Sequence, residues 1–149
     1  MKPISRYTSD VSEHVTVAQI HKMLTEHGAS QILIDNGPDK KPIAISFRIQ
    51  TEYGQLSFQL PARLSQIAKI LAAEHPRTKQ PKIHEQATRT GWRIIHDWLE
   101  AQLAMIQAGM VSMTEVFLPY AQNDQGETAY ERLKDQKFSG LALEDRKPQ

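Results

Sequence analysis

The chain has 149 residues, 40% of them hydrophobic and 23% charged, with a formal net charge of +1. That is one domain of ordinary globular composition, long enough to bury a real core. It contains no cysteine, which excludes disulfides, thiol catalysis and Cys-ligated zinc and fits a reducing cytoplasm. The opening residues lack the apolar core of a signal peptide, and no run approaches the roughly 18 apolar residues of a membrane span. The expectation is a cytoplasmic protein with no membrane contact.

In chain order, residues 1–12 are polar with one aromatic, Tyr7, and leave room for a short edge strand near 6–11. Thr16 and Gln19 have the spacing of a capping box. Val17, Ile20, Met23 and His27 follow a helical period that Gly28 stops, so a helix is predicted over 17–27. Three strands follow. The first, 31–35, is rich in isoleucine, and Asn36-Gly37-Pro38-Asp39 is a turn by composition. Ile43, Ile45, Phe47 and Ile49 alternate with Ala44, Ser46, Arg48 and Gln50, the clearest period-two pattern in the chain. Thr51 to Gly54 is a hairpin loop, after which Leu56, Phe58 and Leu60 alternate with Ser57 and Gln59. The pattern predicts an antiparallel meander with one apolar face covered by helices and one polar face.

Pro61 is placed to open a second helix, with Leu64, Ile67, Ile70 and Leu71 on its core side. A polar connector at 75–82 leads to the longest helix, predicted over 84–108. Trp92, Ile95, Trp98, Leu99, Met105 and Ile106 share one face there, and Ile94, Ala101 and Leu103 widen it. Such a stripe suits a helix packed on two sides. Gly91 weakens the helix by up to about 1 kcal/mol relative to alanine, which a close helix contact or a kink would explain. Gly109 ends it. Ser112 and Glu115 form another capping-box spacing, followed by Val116, Phe117 and Leu118 and stopped by Pro119-Tyr120. After a polar loop, 127–136 is a short helix with Tyr130 and Leu133 inward. Together these predict a single α+β domain over 1–138 and a mobile tail over 139–149.

Several motifs resemble a group of small bacteriophage, prophage and mobile-element proteins. They are Gln19-Ile20, Leu24 and His27-Gly28-Ala29; Ile45-Ser46-Phe47 and Phe58-Gln59-Leu60-Pro61; Gln86-Ala87, Trp92-Arg93-Ile94-Ile95 and Asp97-Trp98-Leu99-Glu100-Ala101-Gln102; and Glu115-Val116-Phe117-Leu118-Pro119-Tyr120. The resemblance spans about residues 14–130 and implies a setting inside a bacterial host cell. It implies no activity, cofactor or catalytic residue. The order helix, three strands, helix is also similar to that of double-stranded RNA-binding domains, in topology only. No lysine cluster opens the second helix, where such a domain places its phosphate contacts.

Four candidate sites are legible. In 77–93 the cations Arg77, Lys79, Lys82, Arg89 and Arg93 face one acid, Glu85, a net +4 in 17 residues of a chain whose total is +1. This stretch could neutralise a DNA or RNA backbone, with Arg48 as a further contact and Trp92 or His84 stacking on bases. The bland alternative is a solvated helix start with Trp92 in the core. The second site is the polar sheet face, Ser46, Arg48, Gln50, Ser57 and Gln59, which is either wet, a binding platform, or covered by a second copy. The third is metal or general-base chemistry. The six histidines include no i, i+4 pair, His96 and Asp97 diverge by about 100° on a helix, and no phosphate loop or nucleophile elbow occurs. That leaves no metal site, no cofactor and no catalytic residue to name, and Arg93 and Asp97 form an ordinary i, i+4 ion pair. The fourth is 115–120, where Phe117, Leu118 and Tyr120 either dock a partner or seal the core.

The leading expectation is a non-enzymatic, nucleic-acid-associated accessory protein. The alternative is an assembly protein, either a homo-oligomer or a binder of a phage or host protein. An enzyme with a site built from scattered residues is the third.

Overall fold

The structure, a computed structural model, describes residues 3–4 and 9–143. It is an α+β fold: a three-stranded antiparallel sheet, in order β1-β2-β3, carries helices on its apolar face. The edge strand expected near 6–11 falls largely outside the described residues, and 9–11 are not strand.

Helix α1, Glu13–Glu26, starts four residues earlier than the spacing predicts. Ser12 is the cap, its side chain accepting from the His14 amide, and Glu13 puts negative charge on the positive end of the helix. Thr16 therefore lies one turn inside. It is fully buried, and its Oγ1 has no hydrogen-bond partner among the described residues. A lone buried hydroxyl costs stability that a methyl group of similar shape does not. Thr16→Val is expected to raise stability by about 1 kcal/mol, read as a higher denaturant midpoint at unchanged slope. A lower midpoint would mean that the hydroxyl is satisfied.

Val17, Ile20 and Leu24 turn onto the sheet, and Gly28 ends the helix at a φ of 100°. Strands β1 (Ala29–Asn36), β2 (Pro42–Thr51) and β3 (Gly54–Gln59) follow. Phe47 lies opposite Phe58 and Ile34 opposite Ile45, while Arg48 lies opposite Ser57 and Ser46 opposite both Leu33 and Gln59. Ile45, Phe47, Ile49 and Phe58 fill the core. Alternation then sends Ser46, Arg48 and Ser57 to the other face.

Pro61 does not open the next helix. The Leu60 amide still bonds the Ile45 carbonyl, and residues 60–63 turn before α2, Leu64–Glu74, begins. Leu60 is buried, so sheet pairing wins over the proline signal. Helix α3, Gln80–Gln107, is 28 residues long, about 42 Å at 1.5 Å per residue. It starts upstream of the predicted position because Pro81 fits a first turn and because Ile83 packs with Leu71 and Ala87 in a second small core between α2 and α3. Trp92, Ile95, Leu99 and Leu103 join the main core. Gly91 marks a close approach: a Cβ there would stand 2.3 Å from Leu64 Cδ2 and 3.1 Å from Ile67 Cδ1.

Helix α4, Met113–Phe117, opens on the expected Ser112–Glu115 capping box and passes into a 3-10 turn, Leu118–Tyr120. Helix α5, Ala129–Asp135, has a second capping box, Thr128 with Glu131. Leu133 is half-buried, but Tyr130 is 40% exposed rather than inward, its ring 5.9 Å from that of Phe138. Beyond α5, Leu141 and Ala142 amides bond the Phe138 carbonyl.

Candidate nucleic-acid interface

The basic residues that sequence spacing groups together separate in three dimensions. Arg77, Lys79 and Lys82 are exposed at the junction of α2 and α3. Arg89 is half-buried: its Nε donates to the Ser9 carbonyl at 3.3 Å and its Nη2 to Gln86 Oε1 at 2.8 Å. Gln86 Nε2 donates to the same Ser9 carbonyl at 3.0 Å and to Thr90. Arg89 thus holds the N-terminal segment on α3. Arg93, with a side chain only 17% exposed, donates to Gln19 Oε1 of α1 at 2.7 Å and stands 4.0 Å from Asp97. It ties two helices together. Arg48 points from the face of the sheet opposite the helices. The six residues therefore do not form one surface, which corrects the sequence reading.

What does converge is a stripe along α3. Lys82, Gln86 and Arg89 follow the i, i+4, i+7 positions of one face, and with Leu71, His75, Thr78 and Ile83 they line a cavity of about 410 Å³. Arg77 and Lys79 flank Thr78 beside it. No acidic residue lies in the first turn of α3 and no side chain caps it, whereas α1, α4 and α5 each carry a glutamate in the first turn. The positive end of the longest helix dipole adds to three exposed cations.

The stacking partners are absent from this stripe. Trp92 is fully buried and its Nε1 donates to the Pro42 carbonyl at 3.0 Å. His84 sits two positions from Lys82, about 200° around the helix, and its Nε2 lies 3.1 Å from Asp39 Oδ2. The Lys41 amide, bonding Asp39 Oδ1 at 3.1 Å, and His84 beside it hold the Asp39 carboxyl below its ordinary value.

The polar sheet face is a groove of about 930 Å³. Arg48 lines it with Gln31, Ser46, Ser57 and Gln59. Its far wall is 122–126, stapled to β3 by the Gln122 amide on the Ser57 carbonyl at 2.8 Å. Nothing in the local sequence announces that wall.

Residues 115–120 divide. Phe117 is fully buried, its ring 5.4 Å from that of Phe47 and 5.8 Å from those of Phe58 and Trp98. Tyr120 is half-buried against Trp98, and Leu118 alone of the three is open, at 56% exposure. Phe117 thus seals the core and is not presented to a partner. His96 and Asp97 do meet, contrary to the 100° argument: His96 Nδ1 is 3.0 Å from Asp97 Oδ1. His96 is buried, and the Arg93–Asp97 pair completes a structural chain with it. Among the described residues no group of three or more His, Asp or Glu side chains is placed to hold a metal, and no helix is long and apolar enough to cross a membrane. Comparison with family models, with curated proteins and with solved structures gives no match.

Proposed function

We propose that this chain is a non-enzymatic accessory protein of a phage or mobile element that binds the phosphate backbone of DNA or RNA through the α2–α3 corner. The observation that carries the reading is the gathering of exposed Arg77, Lys79 and Lys82 at the uncapped positive end of the 28-residue α3. Cations placed where they oppose the helix dipole cost folding energy and need a compensating partner, and a phosphate backbone is one. Recognition is by charge neutralisation with little sequence reading, since no tryptophan, tyrosine or phenylalanine lines the stripe. Arg89 and Arg93 support the surface and do not serve as free contacts.

Three phosphate contacts predict that affinity for duplex DNA falls about 40-fold between 50 and 200 mM salt. The combined variant Arg77→Gln/Lys79→Gln/Lys82→Gln is expected to lose binding in fluorescence anisotropy while keeping its circular dichroism and melting temperature. Absence of binding to single-stranded DNA, duplex DNA and RNA at the lower salt would sink the reading.

A second reading, self-assembly, is favoured by the edge of β1, unpaired among the described residues, beside a sheet face where Leu33 is 61% exposed. It predicts a concentration-dependent dimer in sedimentation velocity that Leu33→Asp dissociates.

A further inference from the structure

A second hollow lies on the other side of α3 from the basic stripe. It holds about 480 Å³ and is bordered by the β1–β2 turn, the start of α2 and the second and third turns of α3. Small-molecule sites run from roughly 300 to 1,000 Å³, with apolar walls and a few placed polar groups, and this hollow has that make-up. Its walls are Pro42, Ile43, Leu64 and three alanines, Ala62, Ala68 and Ala87. The alanines make the space, because a larger side chain at any of them would fill it. The walls are also held in place. Ala87 is buried in the α2–α3 core, and the close approach of Leu64 to Gly91 locks α2 against α3.

The lining also carries Ser65, Gln66 and Thr88, and its charged and titratable groups are Asp39, Lys41, Arg63 and His84. Asp39 is fixed twice, by the Lys41 amide and by His84, each at 3.1 Å. Lys41 Nζ is itself 3.8 Å from Glu13. Each acid at this end of the hollow therefore already has a partner. Arg63 also lines the hollow, is exposed, and its side chain makes no hydrogen bond or ion pair among the described residues. An apolar hollow with one uncommitted guanidinium at its edge is complementary to an anionic head on an apolar body.

We propose that this hollow binds a small organic anion, a carboxylate carrying an aliphatic or aryl body. The body lies against the three alanines and Leu64, and the head meets Arg63. The site is separate from the α2–α3 corner, so it stands whether or not the chain binds nucleic acid.

The test is a ¹H–¹⁵N NMR titration of the full chain with sodium octanoate, with 1-octanol and sodium acetate as separate arms. Octanoate is expected to give saturable shifts centred on 39–43, 62–68 and 84–88. Acetate, lacking the body, is expected to give none. Arg63→Gln is expected to weaken octanoate by up to about fivefold, the upper end of the range for an exposed ion pair, and to leave octanol unchanged. Ala68→Leu, at a half-buried position, fills the hollow and is expected to abolish both while the rest of the spectrum stays in place. If that variant unfolds, Ala62→Leu replaces it. The proposal is overturned if octanoate gives no saturable shifts, if the shifts centre on the sheet groove, or if filling the hollow leaves binding intact. Equal affinity for octanol and octanoate, or an Arg63→Gln variant that binds octanoate as the parent does, overturns the anion.

Discussion

Replacing Trp92 with alanine is expected to remove about 3–5 kcal/mol of stability, the range for deleting a large buried aromatic. Trp92 is fully buried at the centre of the main core, where α1, the sheet and α3 meet. Its deletion leaves a cavity in surroundings that relax only partly, and it orphans the Pro42 carbonyl that its Nε1 bonds at 3.0 Å. A domain of this kind is stable by about 5–15 kcal/mol, so the variant sits near or below the folding threshold at physiological temperature. Trp92→Phe separates the two contributions. It keeps most of the volume and is expected to cost about 1–3 kcal/mol, chiefly for the unsatisfied carbonyl. Denaturant unfolding followed by circular dichroism reads both. An alanine variant within 1 kcal/mol of the parent would show that the core is not built on this ring. It would also reopen the possibility that Trp92 is a contact for nucleic acid.

Phe117→Ala is expected to cost about 3–5 kcal/mol, whereas Leu118→Ala, one residue along, is expected to change stability by less than about 0.5 kcal/mol. Phe117 is inserted among Phe47, Phe58 and Trp98, while Leu118 is 56% exposed. The loss has a location as well as a size. Phe117 is the peg by which 113–135 is held on the sheet and α3, and the rest of that segment contributes few buried side chains. Hydrogen exchange in the Phe117 variant is therefore expected to show α4, the 3-10 turn and α5 losing protection before β2 and α3 do. If the whole chain loses protection together, the segment belongs to the global folding unit. If Leu118→Ala is as damaging as Phe117→Ala, the assignment of the two side chains is wrong.

These two tests fall on residues that the sequence already singled out, and in both cases the core reading offered beside the binding one is the one observed. The period-two alternation of 43–50 and 56–60, the three-and-four spacing along α3 and the Ser112–Glu115 capping box are all present in the observed fold. Gly91 was legible as an anomaly, and its close approach to Leu64 is the reason. Where local signals competed, packing chose between them. Ser12 displaced Thr16 as a cap because the earlier start gains another helical turn. The Leu60–Ile45 bond kept Pro61 out of a helix.

The sites were much less legible than the elements. Arg89 bonds a carbonyl 80 residues away at Ser9, His84 meets Asp39 across 45 residues, and the Gln122 side chain reaches Ser57 across 65. A helix or strand is determined by hydrogen bonds and side-chain periods within a few residues, which a linear sequence displays directly. The α+β class, the meander and the long helix were determined at that level. Which cations share a surface depends on how distant elements pack. Only the tertiary structure put Arg48 on the opposite side of the sheet from Lys82, turned Arg89 and Arg93 into internal clamps, and opened a hollow between three alanines that no sequence period brings together.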